Sequence, residues 1–85
     1  RSDDIKYISK YKVMEAYKVT YILYCIGKFA HHYHLSDKQA YAYLRRHKGI
    51  DFLVDNYEAE HQLSLDDAVK DLASVCRRYG GGLPC

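Results

Sequence analysis

The 85 residues amount to one small domain, with too little chain for a second core. Thirteen Lys/Arg against eleven Asp/Glu leave a net charge of only +2, and the three cysteines, Cys25, Cys76 and Cys85, include no CxxC pair. An odd set at no metal-ligand spacing makes a reducing compartment the simpler assumption. The longest apolar run, residues 21–26, is far short of the roughly 20 residues of a membrane-spanning helix. No charged-then-apolar leader pattern opens the chain, so a cytoplasmic protein without membrane attachment is expected.

The apolar content is unusual in kind. Ten tyrosines stand beside two phenylalanines and no tryptophan. Tyrosine joins a large apolar ring to a polar tip, which suits half-buried helix faces and interfaces. Ten are more than so small a core hides, so some are expected on the surface, where aromatic residues favour a partner. Charge is uneven as well, +6 over residues 1–50 and −4 over residues 51–85. Internal complementarity between basic and acidic helices is the simpler reading of this asymmetry. A nucleic-acid or acidic-partner surface is the other.

In chain order, the first long element is predicted over residues 13–34, after an N-terminal segment (residues 1–12) with at most one helical turn. Val19, Ile22, Ile26, Phe29 and Tyr33 recur at spacings of three and four, which is one helical stripe. Met14, Tyr17, Tyr21 and Tyr24 form a second stripe beside it. β-Branched and aromatic residues make a strand the competing prediction over residues 19–26, but alternation fails there while helical spacing continues on both sides. Gly27 costs such a helix about 1 kcal/mol relative to alanine and is expected to admit a close neighbour. The second helix starts at Ser36, with Gln39 completing a capping box, Leu35 and Ala40 flanking it, and Gly49 as the expected stop. The third is predicted as one element over residues 50–60, with Ile50, Leu53, Val54, Tyr57 and His61 on one face. The fourth starts at Ser64, carries Asp66 and Asp67 in its first turn and Arg77 and Arg78 in its last, and stops at Gly80. Residues 80–85 are expected to be a mobile glycine-rich tail, or one ordered only by contact. The expectation is therefore an all-α fold over residues 1–85, a small four-helix bundle of antiparallel type with one long and three shorter helices.

Each constellation that suggests chemistry lacks a part. His31 and His34 could share a metal, yet no other half of a four-ligand zinc site is visible. Tyr57 and His61, four apart on one face and flanked by Glu58 and Glu60, have the residue types of an acid–base pair. They lack a nucleophile with an activating partner, and no phosphate-cradling glycine loop occurs. The simpler role for His61 is to buttress the turn into Ser64. Arg45-Arg46-His47-Lys48, interleaved with Tyr41 and Tyr43, could grip phosphates and stack on bases. The helix that follows is acidic and would repel a duplex, so nucleic acid is the weaker alternative. No catalytic set, metal or cofactor is expected.

The second half carries a resemblance. Gly49-Ile50-Asp51-Phe52-Leu53, Tyr57 with Glu60-His61, Leu63-Ser64-Leu65-Asp66-Asp67-Ala68-Val69 with Asp71-Leu72, and Cys76 to Gly80-Gly81 resemble the small bacterial domain-of-unknown-function family 3791. Tyr24-Cys25-Ile26 and Leu35-Ser36-Asp37-Lys38-Gln39-Ala40 resemble its earlier blocks, so the likeness spans about residues 17–82. Gln62 departs from it, standing where threonine is expected after the histidine. The family has no settled activity. Its association with gene neighbourhoods of toxin-like and ADP-ribosyltransferase-like proteins implies an accessory or antitoxin-like partner of such an enzyme.

The expected function is that of a protein–protein interaction module. Its candidate surface comprises Tyr17, Tyr21 and Tyr24 on the first helix with Tyr57, Glu58 and His61 on the third. The wide apolar arc of helix one is also a candidate homodimer face. The alternative is a small nucleic-acid-binding regulator that uses the basic first half.

Overall fold

The structure is a computed structural model that describes residues 15–81. The expectations for residues 1–12, and for Val13, Met14 and the tail beyond Gly81, lie outside the described residues. Within them the fold is all helical, in the order α1 (Ala16–His32), α2 (Asp37–Arg46), α3 (Gly49–Asp55), α4 (Tyr57–Glu60) and α5 (Leu65–Arg78). Helix α1 is the spine: α2 and α5 pack along it and α3 touches it, while α3 also packs on α2 and α5. The all-α bundle predicted from helical spacing is present. One element differs, because the expected third helix is two.

The core is built from the predicted stripes. Ile22, Cys25, Ile26 and Phe29 of α1 meet Ala40 and Leu44 of α2, Ile50 and Leu53 of α3, and Ala68, Val69, Leu72 and Cys76 of α5. Phe29, Leu44, Leu53 and Leu72 are fully buried and supply most of its volume. At about 25 cal/mol per Å², such apolar burial is the main force holding the bundle. Val19, assigned by spacing to the inner stripe, is exposed instead. It lies at the edge of a stripe that drifts around the helix, so α1 turns it out of the core.

The helix ends explain the differences from expectation. Ser36 Oγ accepts from the Gln39 N–H at 3.0 Å, and the Gln39 side chain accepts from the Ser36 N–H at 2.9 Å, so the predicted capping box is formed. Ser64 Oγ likewise accepts from the Asp67 N–H at 3.1 Å and opens α5. At the other end of α5, Gly80 has φ +89°. The Gly81 N–H then reaches back to the Cys76 carbonyl at 2.8 Å, closing the left-handed stop predicted there.

The stop of α1 has the same form with no glycine. His34 takes φ +57°, and the Leu35 N–H donates to the Ala30 carbonyl at 2.8 Å. Histidine is among the residues that tolerate this region, and Leu35 covers the turn from the apolar side. The expected stop of α2 at Gly49 is corrected by one residue. Lys48 adopts the left-handed conformation, with φ +71°, and Gly49 opens α3. Glycine is needed there for space: a Cβ would lie 2.8 Å from Leu44 Cδ2 and 3.2 Å from Cys76 Sγ. Gly27, where a close neighbour was expected, faces open space, with nothing within 4 Å of where a Cβ would stand. The predicted third helix turns at Asn56, whose side chain donates to the Phe52 carbonyl at 3.0 Å and competes with the helical ladder.

Candidate aromatic docking surface

Helix α1 faces two environments. Its buried side enters the core. Its outer side carries Ala16, Tyr17, Val19, Thr20, Leu23, Tyr24, Gly27 and His31, which fall within less than half of the helix circumference. No Asp, Glu, Lys or Arg lies on this face. The charged residues of α1 are turned elsewhere: Lys18 pairs with Glu15 at 3.6 Å and Lys28 with Asp66 of α5 at 3.4 Å. Tyr17 is 58% exposed, Leu23 61% and Tyr24 64%, so large apolar groups stand out from the bundle with no neighbour among the described residues to cover them.

At the N-terminal end of that face the ridge runs into a second aromatic group. The short helix α4 carries Tyr57, and His61 follows one turn later, so their rings stack in parallel at 4.4 Å and 1°. Tyr21 meets Tyr57 edge-on at 5.4 Å, Tyr17 lies tilted at 5.8 Å, and Lys18 Nζ stands 5.4 Å from the Tyr57 ring centre. Tyr57 is thereby buried, while His61 and Tyr17 remain at the surface. His61 Nδ1 lies 2.8 Å from the Tyr57 carbonyl. A carbonyl only accepts, so Nδ1 holds the proton and a neutral ring keeps Nε2 as its acceptor. This bond ties the His61 ring back to its own helix, one turn before the expected turn into Ser64.

The candidate residues thus divide. Tyr17, Tyr21, Tyr57 and His61 come together as one ring cluster. Tyr24 lies two turns along α1 on the same face as Tyr17, and Glu58 is exposed on α4. Tyr21 and Tyr57 support the surface from within more than they form it.

Beneath the cluster is Glu60, which spacing placed beside Tyr57 and His61 but off the apolar face, and which the structure buries. Glu60 is only 6% exposed, and its Oε1 has no hydrogen-bond partner among the described residues. Burial and the facing Asp71 carboxyl push its pKa from the usual 4.5 up to about 7. The Tyr21 hydroxyl is buried beside the Cys25 thiol, and burial raises both from their ordinary values, that of Tyr21 well above it. The signal in the sequence was the position of Glu60, three residues after Tyr57 on the face that carries Leu53. Cys76 is also sealed, its thiol pushed up to about 11 by burial against the opposing effect of the Gly49 N–H. Thiols in such sites are protonated at neutral pH and are poor nucleophiles.

The remaining constellations are spread apart. His34 is in the α1 stop, while His31 and His32 are exposed. Among the described residues no group of three His, Cys, Asp or Glu is placed to hold a metal ion, and no helix is long and apolar enough to cross a membrane. Arg45 and Arg46 end α2, with Asp51 and Asp55 following in α3. An open groove of about 340 Å³ between α3 and the end of α5 mixes Lys48 and Arg78 with Asp51, Asp55 and Tyr79.

The family described as "Protein of unknown function (DUF3791)" matches residues 20–78, and the chain belongs to it. No curated protein and no solved structure matches the chain.

Proposed function

We propose that this chain is a protein–protein interaction module that acts by docking, without a catalytic step of its own. The observation that supports this is the uncharged outer face of α1, where Tyr17, Leu23 and Tyr24 are each more than half exposed. Clusters of this kind are what interfaces bury, with tyrosine among the residues most enriched in their cores. Tyr17 continues the face onto the Tyr57–His61 stack, and Glu58 adds an acidic edge that suits a basic partner. The partner class comes from the family resemblance: a toxin-like, ADP-ribosyltransferase-like enzyme, which the chain would accompany or neutralise in the bacterial cytoplasm.

The test is retention of a partner by the tagged full chain in extracts of its native host, compared with a Tyr17→Ala/Glu58→Lys variant. Both positions are exposed, so the variant should keep its helical circular dichroism. A protein held by the wild type and lost from the variant is the expected result. Recovery of the wild-type chain alone under mild conditions contradicts the reading.

A further inference from the structure

The occupant of the central part of the α1 face is open to inference from its shape. From Ala16 to His31 the face runs about 22 Å at 1.5 Å per residue. It is not a uniform ridge. Leu23 and Tyr24 stand out at 61% and 64% exposure, and one turn further on Gly27 leaves a dent with nothing within 4 Å of where a Cβ would be. A projecting leucine beside an empty glycine position is self-complementary under a two-fold axis. With the axis level with Cys25, Leu23 of each copy falls against Gly27 of the other.

We propose that the α1 faces of two copies of this chain pack against each other in an antiparallel, two-fold pair centred on residues 23–27. The inference rests on the reading of this face as a docking surface and names the occupant of its middle.

Three physical features favour a second copy. Each molecule carries a net charge of +2, and this face has no charged side chain on it. Two identical chains therefore meet there without placing like charges in contact. The antiparallel sense sets the helix dipoles in opposition and brings His31 of one copy towards Val19 of the other, keeping the two histidine ends apart. The third feature is area. Tyr17, Val19, Leu23 and Tyr24, with exposures of 58%, 39%, 61% and 64%, dominate the face. Together with Ala16, Thr20, Gly27 and His31 they offer roughly 600 Å² per copy, or about 1,200 Å² for the pair, the lower edge of specific interfaces. A reversible dimer that depends on concentration is what such an area supports. Such a pair leaves His61 and Glu58 outside its centre, available to a different partner.

Sedimentation equilibrium of the full chain over a wide range of concentrations, with two variants, tests this. The wild type is expected to shift from monomer to dimer across the micromolar range. Leu23→Glu, at an exposed position, should weaken association at least tenfold with helical circular dichroism unchanged. Gly27→Leu fills the dent and should also weaken association at least tenfold, while raising the melting temperature of the monomer through better helix propensity. That opposite pair of effects separates an interface role from a folding role. A wild-type monomer at every concentration overturns the proposal, whatever else covers the face. A dimer that persists unchanged in both variants overturns it too, because association would then use another surface. Partner retention lost through Glu58→Lys alone, a position outside the pair, is touched by neither result, so the two readings fail separately.

Discussion

The Glu60 carboxyl, 6% exposed and faced by Asp71, keeps its proton to about pH 7, against an ordinary value of 4.5. Because the folded value is raised, Glu60 contributes most to stability below about pH 4.5. That contribution falls as pH rises to about 7 and is lost beyond it. Glu60→Gln should flatten this decline, and at pH 8 it should be more stable than the wild type in urea unfolding. An unchanged pH profile would remove Glu60 as its source. Gly49 makes the matching steric point. Gly49→Ala would press a methyl on Leu44 and Cys76 and should cost about 1–3 kcal/mol in the same assay. The sequence marked Gly49 as punctuation, but the reason for it is the space taken by Leu44 and by Cys76, the second a neighbour 27 positions away. Contacts of that kind are invisible to local pattern.

At the scale of elements, starts were more legible than stops. Ser36 with Gln39 and Ser64 with Asp67 are local hydrogen-bond devices, written within four residues, and both form as expected. Ser36→Ala should lower stability by about 1 kcal/mol, measured by chemical unfolding. Stops depend on φ, which side chains other than glycine advertise poorly. The ends near His34 and Gly49 were expected, but not that His34 and Lys48 would take the left-handed conformation, whereas Gly80 did so as predicted. Lys48→Gly should relieve the left-handed strain and raise stability by about 1 kcal/mol. No gain would mean that contacts of the lysine stem offset the strain. The division of the third helix at Asn56 was missed for a related reason, since the helical stripe continues through Tyr57 although the backbone turns.

For the whole molecule, the 3–4 spacing of α1 and α5 was enough to define the bundle and most of its core, because one buried face per helix leaves few arrangements. Phe29 is at the centre of that arrangement, fully buried, stacked on Tyr43 and tilted against Tyr33. Phe29→Ala should cost about 3–5 kcal/mol, a large share of the stability of a domain this size, and thermal unfolding would show it. The candidate docking surface was only half legible. The surplus of tyrosines pointed to it, but exposure was decided by which way α1 rolls against α2 and α5. That roll buries Tyr57, half-buries Tyr21, and bares Leu23 and Val19, which spacing had not singled out for binding. The most direct measurement replaces Tyr24 by a photoreactive benzoylphenylalanine in the full chain and compares it with the same replacement at Tyr79, which is 56% exposed on another element. Covalent adducts formed from position 24 and not from position 79, with twice the chain mass marking a second copy, are the expected result. Equal yields at the two positions, or none at position 24, would contradict a docking face on α1.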